Sequence, residues 1–339
     1  MTPDLKCLVG ACAEEMMRVQ RSVLDEAWHD PDRCFEPVRL ERQGKPAKLV
    51  DLFAEASLIA GLRRRLRDFA PLIVFGEESL GLQRDGLSNH KGLAILVDAV
   101  DGTRLLEYGW NDWCSAATVF SPATREIVAS IVAFPSGVAY FATSEGVGKC
   151  RTKGRGIQFG LVSGRPSKVG RANASIAFYG YRMKRFAELG GRIARLVGTP
   201  QGVEDNPEIF VIGGNPALVH MVDGFKRIDA VVEPLGQAPH DMAAGAFICR
   251  QAGCTVIDLF GRDVALGELL FGPKTKVPFI AASNPELAEA LRQELTGSPA
   301  GSTVKHPCVP MANRRRRLNE RPKRTTRVPT AEGATQSQP

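Results

Sequence analysis

The sequence predicts an α+β fold followed by a disordered basic tail. Short apolar runs at 72–75 and 93–97 each end in acidic residues, which is typical of buried strands that carry polar groups to one edge of a sheet. Apolar residues near the N-terminus recur at helical spacing and indicate an amphipathic helix (Leu5, Leu8, Cys12, Met16 and Val19). Beyond Thr296 large apolar residues almost disappear, so that segment cannot bury enough surface to offset the entropy of ordering.

We expect two parts ahead of the tail, which spans 297–339. In the first part, residues 1–150, a second helix at about 49–68 precedes strands near 72–75, 93–97, 115–121, 127–133 and 138–142. Residues 29–46 are polar and contain three prolines, and we interpret them as a loop. A glycine-rich joint at 146–160 leads into the second part, residues 151–296. That part has predicted strands near 175–179, 208–212 and 228–233 and predicted helices at 181–197 and 242–252.

The charge of the chain is concentrated in the tail. The 339 residues include 44 basic and 37 acidic ones, and residues 297–339 hold nine of the basic ones against two acids. The tail therefore accounts for the whole net charge of +7, and the basic balance is no argument that the folded part binds nucleic acid. Because no aromatic residue lies between the arginines of the tail, any contact with nucleic acid there would be purely electrostatic.

The cysteines and the N-terminus predict a cytoplasmic protein without a membrane anchor. The closest of the eight cysteines, Cys7/Cys12 and Cys249/Cys254, fit neither a CxxC redox motif nor a zinc ribbon, which indicates reduced, buried thiols. The first 20 residues contain acids and lack the layout of a signal peptide. The longest apolar stretch, 127–142, is interrupted by proline and glycine and is too broken to cross a bilayer.

Three acidic motifs are the candidates for chemistry, namely GEES at 76–79, DAVDGT at 98–103 and HDMAAG at 240–245. Carboxylates at strand ends are hard oxygen ligands of the kind that Mg²⁺ prefers. Asp98 and Asp101 are spaced to chelate or bridge metal ions, and the Val100 carbonyl between them can add a ligand. Gly102 and Thr103 lead into a predicted helix start, whose free N–H groups favour a phosphate. Each motif alone is also compatible with an ordinary turn or helix cap.

Together and in this order, the three motifs resemble the pattern of the inositol monophosphatase family, which is GEE, DPxDGT and WDxAAGxxxxxEAGG. The resemblance extends over roughly residues 5–295 and is strongest at 75–103 and 229–261. It implies a layered αβαβα sandwich of the sugar-phosphatase type, shared with fructose-1,6-bisphosphatase and 3′(2′),5′-bisphosphate nucleotidase. It also implies a Mg²⁺-dependent, lithium-sensitive phosphatase.

The resemblance implies a metal-binding role for five residues. Glu77, Asp98 and the Val100 carbonyl would hold one Mg²⁺. Asp98, Asp101 and Asp241 would hold a second, and Glu77 would also help to bind a weaker third ion, so that two to three ions are expected in all. The metals would cancel the charge of the phosphate and lower the pKa of a bound water.

The remaining site residues concern the substrate. The resemblance implies that the Gly102 and Thr103 amides bind phosphate and that the Thr103 hydroxyl orients the attacking water. Glu233 would contact a sugar hydroxyl, and a surface acid at a strand end is the equally supported interpretation. We therefore expect a phosphomonoesterase that hydrolyses a small polyol or sugar phosphate by in-line attack of water, and we expect it to be a homodimer. Specificity like that of fructose-1,6-bisphosphatase or of the bisphosphate nucleotidase is the alternative within enzymes.

The second helix departs from the family pattern. The family usually has Thr-x-x-Asp there, and this Asp pairs with the threonine of DGT. Matching Lys48 and Asp51 to the Lys and Asp-Leu that precede this motif puts Ala54 and Ser57 at its Thr and Asp positions. The pair is then predicted to be missing and hydrolysis to be slow, with Glu55 as a candidate substitute. A weakened regulatory homologue that still binds metal and phosphate is therefore the alternative from another class.

Three further departures fall inside the motifs. His240 stands where the family has tryptophan, and Ala99 stands where it has proline. Arg104 replaces the usual Thr or Ser after DGT. Its guanidinium could reach a second phosphate or face solvent, and the sequence favours neither.

Overall fold

The structure is a computed structural model that describes residues 3–39, 46–69, 71–79, 87, 90–153, 156–162, 174–180, 186–187, 189, 208–223, 228–271 and 276–297. The helices are α1 (Pro3–His29), α2 (Pro31–Cys34), α3 (Leu49–Arg65), α4 (Thr103–Glu107), α5 (Gly214–His220), α6 (Pro239–Gln251), α7 (Leu266–Leu269) and α8 (Pro285–Thr296). The strands up to residue 161 are β1 (Pro37–Val38), β2 (Ala47–Lys48), β3 (Leu72–Gly76), β4 (Leu93–Asp101), β5 (Cys114–Ser121), β6 (Glu126–Phe134), β7 (Val138–Thr143), β8 (Gly146–Lys153) and β9 (Gly156–Leu161). Those that follow are β10 (Ser175–Ala177), β11 (Glu208–Phe210), β12 (Ala230–Gln237), β13 (Thr255–Ile257) and β14 (Val277–Ala282).

The larger sheet contains β3 to β9 in chain order. β3 and β4 are parallel, and every later neighbouring pair is antiparallel. The apolar runs predicted these first strands, and the structure confirms them together with β5, β6 and β7. Because parallel strands end at the same edge of a sheet, the chain after β3 and the end of β4 lie side by side.

The segment predicted as a glycine-rich joint is instead a hairpin, β8 and β9, that completes the larger sheet. Its glycines permit close packing. A Cβ on Gly148 would lie 2.3 Å from the Phe141 ring of the neighbouring strand, so only glycine fits there. The predicted loop at 29–46 likewise contains short elements, α2 and β1.

The smaller sheet has the order β11-β10-β12-β14-β13. Helices α1 and α3 cover one face of the larger sheet, α5 and α6 pack between the two sheets, and α8 covers the outer face of the smaller one. Alternating residues serve different layers, since Ile131 packs under α1 and α3 while Val132 packs on α5 and α6. This confirms the αβαβα sandwich that the family resemblance implied.

Other predictions lie partly or wholly outside the described residues. The helix expected at 181–197 and the tail beyond Gly297 are among them. The division of the chain at residue 150 stays a prediction. The seven cysteines of the described ranges are all free thiols, five of them buried. Among the described helices, none is long and apolar enough to cross a bilayer.

Candidate active site

Three carboxylates lie at the edge where β3 and β4 end. Asp98 is buried, and a β-bulge shifts the register of β4 against β5 between Asp98 and Asp101. The Val100 amide donates a hydrogen bond to Asp98 Oδ1 at 3.1 Å. Glu77 follows β3, and its amide donates to the Val97 carbonyl at 3.1 Å, which holds Glu77 against the end of β4.

Asn215 ties two helices to this edge. Its backbone N and its Nδ2 both donate to Asp101 Oδ2, each at 3.0 Å. Nδ2 also donates to the His240 carbonyl at 3.0 Å, and Asn215 Oδ1 accepts from the Gly245 amide at 2.8 Å. One buried amide therefore links Asp101 at the end of β4 to the first two turns of α6. Sequence analysis missed Asn215, because an isolated asparagine belongs to no motif with recognisable spacing.

Two overlapping groups of metal-ligand atoms result. Asp98, Asp101 and Asp241 each offer a carboxylate oxygen, and these atoms lie within 4.8 Å of one another. Glu77, His240 and Asp241 form a second group by the same measure. His240 Nε2 lies 3.0 Å from Glu77 Oε1 and 3.5 Å from Asp241 Oδ1. The structure thus brings together the four carboxylates singled out from the sequence and adds an imidazole.

The electrostatics of the group favour a bound cation. Burial raises the pKa of Asp98 well above its usual range, and the charges of Glu77, Asp101 and Asp241 raise it further. Burial and Asp241 raise the pKa of Asp101 in the same way, while the hydrogen bonds from Asn215 act against them. Several carboxylates in one buried volume are unfavourable unless protons or a cation neutralise them. Oxygen donors of this kind fit a divalent ion.

Gly102 turns the chain from β4 into α4. Its φ of +98° is in the left-handed region, and a Cβ there would lie 3.1 Å from Trp113 Cβ, so backbone and packing both require glycine. The Leu105 and Leu106 amides donate to the Gly102 carbonyl at 2.7 and 3.2 Å and close the first turn. Thr103 begins the helix, as the sequence predicted.

Thr103 has the carboxylate partner that the sequence alignment predicted to be missing. Thr103 Oγ1 donates to Asp51 Oδ1 at 2.8 Å, and the Lys48 amide donates to Asp51 Oδ2 at 3.1 Å. Asp51 lies in the first turn of α3, whereas Ala54 packs into the core one turn later and Ser57 follows it. The match of Ala54 and Ser57 to the family's Thr-x-x-Asp is therefore wrong, since Asp51 itself contacts Thr103.

Asp51 is also electrostatically unusual. Burial raises its pKa to about 6, with a further contribution from the charge of Glu77, while the hydrogen bonds from Thr103 and Lys48 lower it. A carboxyl group with this pKa changes its charge close to neutral pH.

Glu55, the candidate substitute, has a different structural role. Its carboxylate accepts hydrogen bonds from the Glu78 amide at 2.7 Å and from the Ser79 amide at 3.0 Å. Gly76 makes room for it, because a Cβ there would lie 2.1 Å from the Glu55 carboxyl carbon. Glu55 therefore holds the GEES turn that carries Glu77, and burial raises the pKa of this carboxyl.

Glu233 is buried, which contradicts its interpretation as a surface acid. Its Oε1 accepts from the Tyr179 amide and from Gln237 Nε2, both at 2.8 Å. A Cβ on Gly213 would lie 2.5 Å from Glu233 Oε1, and a Cβ on the next residue, Gly214, would lie 3.0 Å from both carboxylate oxygens of Asp101. Two consecutive glycines therefore separate Glu233 from the acidic edge.

The remaining departures from the family pattern have simple surroundings. Ala99 is buried, and its carbonyl accepts from Ser115 Oγ at 2.7 Å. Arg104 forms an ion pair with Glu107 at 3.1 Å and lies over the Tyr108 ring. Its side chain is half exposed to solvent.

The layered fold is of the sugar-phosphatase type. The model of the inositol monophosphatase family matches residues 8–299, and the chain belongs to that family. No curated protein matches the sequence. Family membership and the structural neighbours described next support a metal-dependent phosphatase.

Solved structures share the fold at low sequence identity. A hypothetical protein from Pyrococcus horikoshii with similarities to inositol-1 monophosphatase is 23% identical, with a TM-score of 0.58 over 83% of this chain and 96% of the other. The IMPase of Thermotoga maritima is 18% identical, with a TM-score of 0.58 over 84% and 95%. An IMPase/NADP phosphatase complexed with Mg²⁺ and phosphate is 15% identical, with a TM-score of 0.57 over 83% and 92%.

Proposed function

We propose that the protein is a Mg²⁺-dependent phosphomonoesterase that hydrolyses a small polyol or sugar phosphate. The observation that carries this proposal is the meeting of Asp98, Asp101 and Asp241 at one edge, with the hydrogen-bonded pair of Thr103 and Asp51 in the adjoining turn. Such an arrangement combines a place for cations with a hydroxyl that can orient water. A structural neighbour in complex with Mg²⁺ and phosphate supports the same ligand chemistry.

The residues present fit Mg²⁺, which prefers a few carboxylates and keeps part of its water shell. Glu77, Asp98 and the Val100 carbonyl would hold one ion, and Asp98, Asp101 and Asp241 would hold a second, with a weaker third near Glu77. Bound Mg²⁺ would neutralise the phosphate and lower the pKa of a nearby water. Burial and the neighbouring carboxylates raise the pKa of Asp98 and Asp101, and the positive charge of bound ions would offset both effects.

Thr103 and Asp51 would orient the attacking water. The Thr103 hydroxyl has one proton, and its contact with Asp51 Oδ1, at 2.8 Å, is shorter than its 3.1 Å contact with the Val100 carbonyl. With the proton donated to Asp51, the lone pairs of Oγ1 can accept a hydrogen bond from the attacking water and fix its direction. A carboxylate with a pKa of about 6 is a suitable proton acceptor near neutral pH.

The first turn of α4 would bind the phosphate group. The Gly102 and Thr103 amides begin this helix, and the first N–H groups of a helix have no partner within it. They favour an anion for that reason. Glu233, held by Tyr179 and Gln237, would accept a hydrogen bond from a hydroxyl of a polyol or sugar.

The pair of Thr103 and Asp51 removes the reason to expect a weakened regulatory homologue. The region that we expect to set substrate choice, 145–210, lies largely outside the described residues. The substrate panel described next distinguishes a monophosphate, a sugar bisphosphate and a bisphosphate nucleotide. The homodimer and the cytoplasmic location are part of the proposal and rest on the sequence alone.

Phosphate release from a substrate panel tests the proposal. The purified protein is supplied with polyol monophosphates, fructose 1,6-bisphosphate and a 3′(2′),5′-bisphosphate nucleotide, with Mg²⁺ or with EDTA. We expect release that needs Mg²⁺ and that is fastest on a polyol or sugar monophosphate. Asp258→Asn, which changes an aspartate outside the site, is the matched control and should leave the rate unchanged. Release that is equal in EDTA would reject the proposed function.

A further inference from the structure

We propose that His240 Nε2, together with Glu77 and Asp241, binds the third ion, the one near Glu77, and that this site binds Mn²⁺, Co²⁺ or Zn²⁺ more tightly than Mg²⁺. The inference deepens the proposed function and rests on it, because it refines one of the metal sites of that phosphatase. It assigns a positive role to a residue that departs from the family pattern.

The geometry places the imidazole among the ligands. Nε2 lies 3.0 Å from Glu77 Oε1 and 3.5 Å from Asp241 Oδ1. Ligand bonds of about 2.0–2.2 Å put neighbouring donor atoms at about this separation around a single ion. One ligand atom from each of the three side chains lies within 4.8 Å of the other two, as in the group of Asp98, Asp101 and Asp241, and Asp241 belongs to both groups.

The imidazole is held in this position by its surroundings. The His240 side chain is only 5% exposed, so it has little freedom to turn towards solvent. Its carbonyl accepts from Asn215 Nδ2 at 3.0 Å, which fixes the backbone at the start of α6. Pro239 precedes it at the first position of the helix and restricts the backbone further. A pre-positioned donor of this kind loses little freedom on binding an ion.

The donor set distinguishes this site from an all-oxygen site. Mg²⁺ is a hard ion that favours carboxylates, carbonyls and water. Imidazole suits the first-row transition metals and zinc, whose affinities for nitrogen ligands exceed that of Mg²⁺. The group of Asp98, Asp101 and Asp241 has only oxygen donors and would remain a magnesium site.

A different account of the same distances is an imidazolium ion that pairs with Glu77 and Asp241 and competes with metal. The two accounts make opposite predictions. A ligand strengthens the binding of a transition metal, so its removal weakens binding. A competing cation weakens binding, so its removal strengthens it for every divalent metal.

Metal binding without substrate decides between them. Full-length metal-free protein is titrated calorimetrically with Co²⁺ and with Mg²⁺, as the wild type and as His240→Phe, a planar replacement without a nitrogen donor. His220→Phe is the matched control, because His220 is a partly buried histidine that packs on Phe134 outside the site. We expect His240→Phe to weaken Co²⁺ binding by at least about 100-fold. Loss of a residue that only hydrogen-bonds to a metal ligand already costs up to about 100-fold, and a direct ligand should cost more. Mg²⁺ binding should change little, and His220→Phe should behave as the wild type.

Pulsed electron paramagnetic resonance on the Mn²⁺-loaded wild-type protein is a second measurement, and it needs no variant. We expect coupling to an imidazole nitrogen. Absence of that coupling, or tighter binding of both metals by His240→Phe, would overturn the inference. Nitrogen coupling in a protein that releases no phosphate would reject the proposed function and leave the ligand in place. Phosphate release with oxygen-only coupling would do the reverse.

Discussion

The two sides of the acidic site are built in different ways. On the strand side, Asp98 and Asp101 are set by the bulge at the end of β4. On the helix side, His240 and Asp241 lie in the first turn of α6, and the Asn215 side chain ties the His240 carbonyl to Asp101. Both sides therefore supply carboxylates, and the buried side chain of Asn215 ties the helix to the end of the strand.

The largest effect is expected on the strand side, from Asp98→Asn. If Asp98 is shared by two ions, its loss removes stabilisation of several kcal/mol, on the order of 10³-fold in kcat/KM. The variant should also be more stable than the wild type when both are metal-free, because it relieves the repulsion among the buried carboxylates. Phosphate release and thermal unfolding, measured on one preparation, check both halves. Near-normal activity would refute the two-ion assignment.

The next largest effect concerns the carboxylate next to the strand side. Asp51→Asn should lower kcat by about 10²–10⁴-fold, with a much smaller change in KM, because it removes the partner that orients Thr103. The double change Ala54→Thr with Ser57→Asp should leave kcat as it is, or lower it, since Ala54 is buried in the core. A rise in kcat in the double variant would restore the original alignment of 48–57.

The difference between Asp98 and Asp51 shows where sequence reasoning succeeds. Asp98 ends a continuous apolar run, so strand, edge and carboxylate follow from one pattern. Asp51 lies in a helix. Matching the family motif to residues further along that helix assigned the contact with Thr103 to Ser57, whereas Asp51 makes it. That shift is invisible without the packing of α3 on the sheet. Asn215 has no pattern at all, because its role depends on contacts with residues 25 or more positions away.

The same limit appears in the fold. The apolar runs predicted β3 to β7, and the resemblance implied the five layers, both of which the structure confirms. The hairpin of β8 and β9 escaped prediction because glycines usually mark turns. Here Gly148 serves the close approach of Phe141 instead.

Asn215→Ala should weaken the attachment of the helix side to the end of β4 without changing any carboxylate. Asp101 and the His240 carbonyl would each lose the hydrogen bond from Asn215 Nδ2, and the Gly245 amide would lose its acceptor, while the backbone hydrogen bond from residue 215 to Asp101 would remain. We expect metal affinity to fall about 10–100-fold, as for loss of an outer partner of a metal ligand, with KM for metal changing more than kcat at saturating metal. Calorimetric titration with Mg²⁺ measures it. Asn284→Ala, which removes the cap of α8, is the matched control and should affect stability only.

The smallest effect is a pH dependence of stability in the metal-free protein. The pKa values of Asp98, Asp101 and Asp51 are raised in the folded state. Above a pH of about 4, the ordinary carboxyl pKa, the folded protein therefore binds more protons than the unfolded chain. Their contribution to stability is therefore present at low pH and lost as pH rises through the folded values. We expect Tm to be a few degrees lower at pH 8 than at pH 5.5, since ~1 kcal/mol moves Tm by about 2–4 °C in large domains.

Two comparisons sharpen that measurement. Saturating Mg²⁺ should reverse the trend at pH 8, because the ion takes over the neutralising role of the protons. Asp98→Asn should flatten the profile of the metal-free protein. A metal-free wild type whose Tm rises between pH 5.5 and pH 8 would contradict the assignment of raised pKa values at the edge.

The most direct test of the account is to locate the ions themselves. A crystal of the protein grown with Mn²⁺ and phosphate gives an anomalous difference map in which each ion appears as a peak. The account predicts a peak within ligand distance of Asp98, Asp101 and Asp241 together, so that strand and helix sides share an ion. Phosphate density should lie at the start of α4. Peaks confined to one side, or none at this edge, would contradict the claim that the two sides meet around metal.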